Sequence, residues 1–315
     1  MKEIGGYMDF ERYDRPMLHE NAIRLNCGRS CLAYLIRARK IRKILLPYFI
    51  CDSVIRLCRE YALDIHFYHV GLDLKSEALA PRKDEWLYLV NYYGQLSAEE
   101  IQSYRLVHER LIVDNTQAYF DEPFPSVDTL YTCRKYLGVA DGGLLYTDAA
   151  LDEELERDES YSRMSYLTGR FERGAADFYA QSVENNRVFD GQGIKKMSRL
   201  TENLLRSFDY DQIRRRRTEN CRALAQRLGA YNKLSFTVPE GAFAYPLMIE
   251  DAQRIRKELI ANKVYVPLLW PNLLELPECT DRALAESILP LPCDQRYGAE
   301  EMAFVSDLLE EALNR

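Results

Sequence analysis

The chain has 315 residues, of which 47% are hydrophobic and 29% are charged, and its formal net charge is −7 at pH 7. This length allows a large hydrophobic core and two domains, and the composition is that of a globular chain rather than a disordered one. The negative net charge argues against a general nucleic-acid binder, whose surface needs a positive field. No run of about 18 apolar residues occurs, so we expect no membrane-spanning helix.

The cysteines and histidines do not indicate a metal site. Eight cysteines and four histidines are present, but the cysteines form no CxxC pair and the histidines are not at zinc-ligand spacing. The amino-terminal segment MKEIGGYMDFERYD lacks the apolar stretch of a secretory signal. We therefore expect no bound metal, free thiols and a location in the reducing cytoplasm.

The chain begins with a predicted irregular arm, residues 1–24, in which glycines and a proline interrupt any period. A helix is predicted from Gly28 onwards, because apolar residues recur at helical spacing. Gly28, Arg29 and Ser30 at its start form a potential anion site. Free backbone N–H groups and the helix dipole favour a phosphate there, and the two side chains add donors. A simple turn with a serine cap is the alternative.

Strands and helices then alternate along the chain. Strands are predicted at residues 43–46, 65–68, 86–90 and 110–113, and helices at residues 52–61 and 98–108. This alternation predicts an α/β fold with a mostly parallel sheet and helices on both faces. Ligands of such sheets bind beyond the carboxyl ends of the strands, where we place Asp114 and the turn Tyr92–Gly94. The two tyrosines of this turn are interpreted first as packing residues.

Lys135 follows a short predicted strand at residues 129–131 and precedes another at residues 144–147. Both strands have the apolar sequence of buried strands, so we expect this lysine in a loop close to the core. Desolvation lowers the pKa of a lysine and makes its amine nucleophilic, as Schiff-base formation requires. A solvated lysine at a strand edge is the alternative.

Beyond residue 148 the pattern changes. Helices are predicted at residues 149–161, around 180, and at 200–206, 211–228, 251–262 and 299–313, and strands at 235–238, 244–249 and 265–268, with a short apolar run at 288–291. We therefore expect, after the arm, a large domain of residues 25–210 and a small α+β domain of residues 211–315. The basic run at residues 214–217 is interpreted as a solvated helix face or a subunit contact.

The candidate residues suit one cofactor chemistry. A cofactor with a phosphate, an aldehyde and a pyridine nitrogen would use the helix start at Gly28, the amine of Lys135 and the carboxylate of Asp114. The segments that hold these and neighbouring residues are 26–32 (NCGRSCL), 46–51 (LPYFIC), 91–95 (NYYGQ), 113–118 (VDNTQA) and 132–143 (TCRKYLGVADGG). In this order they resemble the DegT/DnrJ/EryC1/StrS aminotransferases, which are fold-type-I enzymes that depend on pyridoxal 5'-phosphate (PLP).

The resemblance implies a role for each matched residue. Lys135 would form the Schiff base, Asp114 would pair with the pyridine nitrogen, and Gln117 would contact the ring hydroxyl. Thr132 would contact the phosphate together with the helix start at residues 28–30. The resemblance also implies the fold itself, a fold-type-I sheet followed by a small carboxyl-terminal domain.

Two further positions follow from the same resemblance. Cys51 falls where the family has the aromatic residue that stacks on the cofactor ring, with Phe49 or Tyr48 as the alternative. Ser198 lies in a segment that is similar to the family's dimer segment, and it is a candidate for contacting the phosphate of a neighbouring subunit. A homodimer with a shared active site is implied by the resemblance and not by residue spacing.

The activity that the resemblance implies is transamination, from an amino-acid donor such as glutamate to a keto-sugar or another small carbonyl acceptor. One alternative is a PLP-dependent dehydratase, although related dehydratases carry histidine where this chain has Lys135. The other is a non-catalytic regulatory or binding relative, which the short chain and Cys51 would favour.

Arg296 is a candidate clamp for a substrate carboxylate, because arginine binds carboxylates through two parallel hydrogen bonds. A structural pair with Asp294 is the alternative. Trp270 is interpreted as a core residue rather than a site residue, and His66 and His69 as structural histidines.

Overall fold

The computed structural model describes residues 4–76, 79–80 and 82–314. Its central layer is a seven-stranded sheet. The strands are β1 (Ile23–Leu25), β2 (Lys43–Pro47), β3 (Asp64–Tyr68), β4 (Glu85–Val90), β5 (Leu111–Asp114), β6 (Asp128–Thr132) and β7 (Gly143–Tyr146). They lie in the order β1-β7-β6-β5-β4-β2-β3; β7 is antiparallel to both of its neighbours and the other neighbouring strands are parallel. The predicted α/β fold with a mostly parallel sheet is therefore confirmed.

Helices follow most of the strands. The α-helices of the described residues are α1 (Gly28–Ala38), α2 (Asp52–Glu60), α3 (Ala98–Val107), α4 (Ser165–Glu172), α5 (Tyr179–Arg187), α6 (Arg199–Leu205), α7 (Tyr210–Leu228), α8 (Ala252–Ala261), α9 (Thr280–Ser287) and α10 (Ala299–Leu313). Short 3-10 turns occur at Tyr92–Gly94, Tyr161–Arg163, Ala176–Phe178 and Pro271–Glu275. None of these helices is long and apolar enough to cross a membrane.

The main hydrophobic core lies against the sheet. Every residue of β5 and β6 is buried, as expected for parallel strands that are covered on both faces. Leu32, Leu35 and Ile36 of α1 are buried, as their apolar spacing predicts, but all residues from Ser30 to Ile36 are buried, so the helix is covered on every side there. This packing brings the carboxyl ends of β4, β5 and β6 to one edge of the sheet, where the loops after the strands meet.

The carboxyl-terminal part has a core of its own. Strands β8 (Tyr245–Met248) and β9 (Ile288–Leu291) form a two-stranded antiparallel sheet. Apolar residues of α7, α8 and α10 pack together with these strands in a second hydrophobic cluster. This arrangement is the small α+β unit that the sequence predicts, while the boundary at residues 210 and 211 stays a prediction.

The predicted helix at residues 149–161 is wrong, since the structure describes these residues as irregular. The segment is mainly acidic, and Arg157 is its one basic residue, so few pairs at helical spacing could stabilise a helix there. Its acids instead pair with arginines elsewhere. Glu153 binds Arg37 with a shortest contact of 2.5 Å, and Asp158 binds Arg163 at 2.7 Å. Backbone hydrogen bonds also hold the segment in a non-helical conformation, since the N–H of Lys196 donates to Glu156 O at 2.8 Å and the C=O of Lys196 accepts from the N–H of Asp158 at 3.0 Å.

The strands predicted at residues 235–238 and 265–268 are also wrong. The N–H and C=O groups of Thr237 bond to the side-chain amide of Gln95, each at 2.9 Å, instead of to a strand. Residues 264–267 alternate between buried and exposed as a strand does, but within the described part of the chain they pair with no strand.

The basic run at residues 214–217 lies in α7. Arg214, Arg215 and Arg216 are exposed, as predicted. Arg217 is only 2% exposed, so its interpretation as part of a solvated face or subunit contact is wrong. It belongs to the buried stripe of α7 that includes Ile213, four residues before it at helical spacing.

Candidate active site

A cavity of about 480 Å³ lies at the carboxyl ends of β4, β5 and β6. Many of the predicted site residues line it. They are Gly28, Arg29, Cys51, Asp114, Gln117, Thr132 and Lys135. Ser30, Ser198 and Arg296 are not among the lining residues. Segments that are far apart in the sequence therefore converge on one cavity at the edge of the sheet where α/β folds bind ligands.

Lys135 lies in the loop after β6. Its Nζ donates a hydrogen bond of 3.0 Å to Thr116 Oγ1 and lies 5.4 Å from the centre of the Phe243 ring. Lys135 is exposed to water where it lines the cavity, and protein surrounds that cavity. This enclosure lowers the pKa of the Lys135 amine, and the carboxylate of Asp114 partly opposes the shift. The wider enclosure governs desolvation, so a larger fraction of this amine is neutral and nucleophilic than in a fully solvated lysine.

Asp114 is the last residue of β5 and is 6% exposed. Its Oδ2 accepts a hydrogen bond of 2.7 Å from the Tyr88 hydroxyl, and its Oδ1 accepts one of 2.8 Å from the Thr116 N–H. Both carboxylate oxygens are therefore oriented by neutral donors. Sequence reasoning missed Tyr88, although a signal exists. It is a polar residue inside the apolar strand β4, and it pairs with Ile112, two residues before Asp114 and on the same face.

Gln117 follows Asp114 in the same loop and is 2% exposed. Its Oε1 accepts a hydrogen bond of 3.0 Å from the backbone N–H of Tyr93. Among the described residues no acceptor bonds to the amide nitrogen of Gln117, which belongs to a side chain that lines the cavity. Tyr93 has a φ of 52°, which is strained for a bulky residue, so the contact to Gln117 helps to hold an unusual turn. Tyr92 and Tyr93 are both buried, as their interpretation as packing residues predicts.

The start of α1 forms one end of the cavity. A Cβ atom at Gly28 would lie 3.7 Å from Thr116 Cγ2 and 4.0 Å from Thr132 Cβ. The hydroxyl of Thr132 donates to the backbone carbonyl of Gly142 at 3.4 Å, a weak contact that a better acceptor could replace. Ser30 is buried, and its hydroxyl donates to Asn26 Oδ1 at 2.6 Å, so it turns away from the cavity.

Arg29 is held by residues 186–190, which comprise the end of α5 and the turn after it. Its guanidinium forms an ion pair with Asp190 and donates to the backbone carbonyl of Asn186 at 3.1 Å. Arg134 also contacts this segment, because it donates to the side chain of Asn186 and lies over the ring of Phe189 at 4.6 Å. Burial lowers the pKa of the Arg134 guanidinium. Sequence reasoning missed this wall of the cavity, since it comes from a helix about 50 residues beyond Lys135.

Two aromatic residues, Tyr88 and Trp270, line the cavity, and the sequence singled out neither of them for ring stacking. Trp270 lines the cavity next to Cys51, and its ring packs edge-on against the buried Phe49 at 4.9 Å. Tyr48 stacks on Phe67 at 4.8 Å and is not among the lining residues. The interpretation of Trp270 as core alone is therefore incomplete, because the same ring packs on the core and faces the cavity.

The remaining two candidates are bonded elsewhere. The hydroxyl of Ser198 caps α6 at the N–H of Thr201 and donates to the buried carboxylate of Asp141 at 2.7 Å. Arg296 forms two hydrogen bonds, of 2.6 and 2.8 Å, with Asp294. This contact is the structural pair that the sequence left as the alternative, and a role for either residue towards a ligand stays a prediction.

A second cluster of polar side chains lies between β3 and α9. His69, Cys279 and Asp281 place potential ligand atoms within 4.8 Å of one another. His69 Nδ1 lies 2.6 Å from Asp281 Oδ2, and the N–H of Val70 donates to Asp281 Oδ1 at 3.1 Å. These hydrogen bonds dock the acidic first turn of α9 on the end of β3, and the positive amino-terminal end of that helix disfavours a cation.

Comparison with known proteins places this geometry in a known fold. No family model matches the sequence, and no curated protein matches it. The structure is similar to that of S. venezuelae DesV in complex with a ketimine intermediate, with a TM-score of 0.67 at 15% identity over 93% of this chain and 85% of that one. A DegT DnrJ EryC1 StrS aminotransferase from Brucella abortus gives 0.64 at 13% identity, over 92% and 85%. Helicobacter pylori PseC, an aminotransferase involved in the biosynthesis of pseudoaminic acid, gives 0.63 at 12%, over 92% and 86%. At these identities the likeness establishes the fold, and it confirms the fold implied by the sequence motifs.

Proposed function

We propose that the protein is a PLP-dependent aminotransferase that moves an amino group from an amino-acid donor to a keto-sugar or a similar small carbonyl acceptor. The observation that carries the proposal is the placement of Lys135 and Asp114 on one cavity, at the carboxyl edge of a sheet whose fold is shared with aminotransferases.

The lining of the cavity fits PLP. The amine of Lys135 suits an aldehyde, the carboxylate of Asp114 suits a protonated ring nitrogen, and the free amide N–H of Gln117 suits a ring hydroxyl. The backbone N–H groups at the start of α1, beside Gly28, suit a phosphate. The volume of about 480 Å³ lies within the range of small-molecule pockets. When bound, PLP supplies an electron sink that allows a proton to leave the α-carbon of an amino acid.

The surroundings of Lys135 and of Asp114 indicate the role that each would have in the reaction. In the presence of PLP, Lys135 Nζ is the amine that would bind the aldehyde, and it is also the base that would accept and return a proton at the α-carbon of the amino acid. Its lowered pKa increases the fraction of neutral amine that can do so. Asp114, oriented by Tyr88 and by the Thr116 N–H, is the carboxylate that would pair with the ring nitrogen.

We also propose that the chain acts as a homodimer. Helix α5 contributes residues to the cavity lining, and α4 packs on α5. Phe171 is 90% exposed in α4 and Tyr179 is 71% exposed in α5. Large aromatic side chains that are exposed on neighbouring helices are typical of a surface covered by a partner. Light scattering in solution measures the mass directly, and a monomeric mass at all protein concentrations would contradict this part of the proposal.

Absorbance spectroscopy tests the catalytic proposal. Purified protein mixed with PLP should develop the band of a lysine–cofactor linkage, and borohydride reduction followed by peptide mass spectrometry should locate it at Lys135. Lys135→Ala should abolish the band. Addition of glutamate should then convert the cofactor to its amine form. PLP binding that raises the melting temperature without any amino transfer from a panel of donors would instead support a non-catalytic relative.

A further inference from the structure

Arg217 is a buried cation that the chemistry described so far does not use. It lies in the first half of α7 and is 2% exposed, whereas Arg214, Arg215 and Arg216 are exposed. Burial of a guanidinium is strongly unfavourable unless its donors are satisfied and its charge is balanced. The groups that bond to the guanidinium of Arg217 therefore indicate the function of this side chain.

The guanidinium of Arg217 bonds to neutral acceptors on three segments. Nε donates to Gln295 Oε1 at 2.7 Å, Nη2 donates to the carbonyl of Tyr136 at 3.1 Å, and Nη1 donates to the carbonyl of Ala242 at 3.0 Å. A longer contact of 3.4 Å joins Nη1 to the carbonyl of Phe243. The planar group also lies over the ring of Tyr136, 4.5 Å from its centre.

No carboxylate within the described part of the chain forms an ion pair with Arg217. The nearby acid, Asp294, forms two hydrogen bonds with Arg296 instead. Burial lowers the pKa of the Arg217 guanidinium, which nevertheless stays protonated as arginines do in proteins. The dipoles of the neighbouring carbonyl groups therefore balance its charge. Because the guanidinium is rigid and planar, its hydrogen bonds fix the relative positions of the segments that carry these carbonyl groups.

Two of these segments form the surroundings of the reactive amine. Tyr136 directly follows Lys135, and its carbonyl accepts a second hydrogen bond of 2.7 Å from Gln295 Nε2. Phe243 directly follows Ala242, and its ring lies 5.4 Å from Lys135 Nζ. Arg217 thus joins the backbone beside Lys135 to the loop that places an aromatic ring against its amine.

A second contact from α7 supports the same function. Thr218 Oγ1 accepts a hydrogen bond of 2.8 Å from the N–H of Gly241, in the same loop as Phe243. Consecutive residues of one helix therefore hold this loop. We propose that Arg217 is a positioning residue, which fixes Lys135 Nζ and the ring of Phe243 relative to each other and so makes the amine ready to react. This inference rests on the proposed role of Lys135 as the residue that bonds to PLP.

The test measures the rate at which the lysine–cofactor linkage forms when full-length protein, freed of cofactor by dialysis, is mixed with PLP. Arg217→Met removes the charge and the fork, and Arg217→Lys keeps the charge but not the fork. Arg215→Met is the matched control from the exposed part of the same run. A displacement of about 1 Å at a reacting atom slows a reaction by roughly 100-fold, so we expect both Arg217 variants to be at least about 10-fold slower than wild type and the control to be unchanged.

Urea denaturation separates positioning from folding, because rates are compared only under conditions in which each variant is folded. Gln295→Leu provides a second variant should Arg217→Met fail to fold. It removes one donor to the Tyr136 carbonyl from a partly exposed side chain, and it should slow the linkage several-fold. Wild-type rates in folded Arg217→Lys or Gln295→Leu would overturn the inference while leaving the proposed function intact. Absence of a linkage to Lys135 in the wild-type protein would overturn both.

Discussion

Replacement of Asp114 by asparagine should separate the stability of the protein from its affinity for the cofactor. Asparagine has nearly the same shape, and its Oδ1 can still accept the 2.8 Å hydrogen bond from the Thr116 N–H. The Tyr88 hydroxyl, which donates to Oδ2 at 2.7 Å, can instead accept from the new amide nitrogen. Both contacts persist, so we expect the free energy of unfolding to change by less than about 1 kcal/mol.

Affinity for PLP should respond much more strongly to Asp114→Asn. The carboxylate would form a charged hydrogen bond with the ring nitrogen, and such a bond contributes about 1.5–3 kcal/mol. Since each 1.4 kcal/mol is a factor of ten, the dissociation constant for PLP should rise by about 10- to 150-fold. Titration of cofactor-free protein with PLP, followed by absorbance, measures this constant.

Asp121→Asn is the matched control for that titration. Asp121 is another largely buried carboxylate; it accepts a hydrogen bond of 3.0 Å from Asn91 but does not line the cavity. Its replacement should leave the dissociation constant unchanged. A folded Asp114→Asn variant that binds PLP as tightly as wild type would refute the pairing of Asp114 with the ring nitrogen, and so would an equal loss of affinity in both variants.

Three further predictions concern stability and are tested by urea denaturation. Burial raises the pKa of Asp121 from 3.8 to about 6, so the folded state binds more protons than the unfolded state between these values, and stability falls as pH rises through them. Asp121→Asn should therefore be about 1–3 kcal/mol more stable than wild type at pH 7 and equally stable below pH 4; a constant difference across this range would contradict the raised pKa. Desolvation by the protein around the cavity lowers the pKa of the Lys135 amine from 10.5. Lys135→Met should therefore raise the urea midpoint at pH 7, and the gain should shrink as the pH approaches 10.5. A lower midpoint for the variant would show that the amine is not desolvated. Arg39→Met leaves the buried Asp128 without its partner at 2.8 and 3.0 Å and should cost about 3 kcal/mol, whereas the exposed Arg42→Met should change stability by less than about 0.5 kcal/mol; similar losses in both would contradict the burial argument.

Local sequence patterns predicted six of the seven strands of the sheet and the residues at its carboxyl edge; β1 (Ile23–Leu25) lies at the end of the predicted irregular arm, which is wrong there. Asp114 ends β5 and Lys135 lies in the loop after β6, and the ends of parallel strands converge because the strands point the same way. The apolar spacing in α1 likewise predicts that Leu32, Leu35 and Ile36 are buried, although it does not predict that the residues between them are buried as well. The motif order added the expected partners of these residues, and the structure brings most of them to one cavity.

Sequence patterns did not predict the environment of residues whose contacts come from distant segments of the chain. Arg217 looks like one more residue of a basic run, and only the packing of α7 against the loops at Tyr136 and Ala242 shows that its guanidinium is buried and shared among three segments. The acidic segment at residues 149–161 has the composition of a charged helix, yet its backbone bonds to Lys196, about 40 residues further along the chain.

The sequence by itself therefore determined the α/β fold, the edge of the sheet where a ligand would bind and the amine and carboxylate that face it. These features depend on periodicity and on the direction of strands, which are local properties of the chain. Only the tertiary structure shows that Trp270 lines the cavity and that Asp190, after α5, holds Arg29. It also shows that Ser198 and Arg296 form their hydrogen bonds away from the cavity. Contacts between segments far apart in sequence follow from the packing of the whole chain, and no local pattern encodes them.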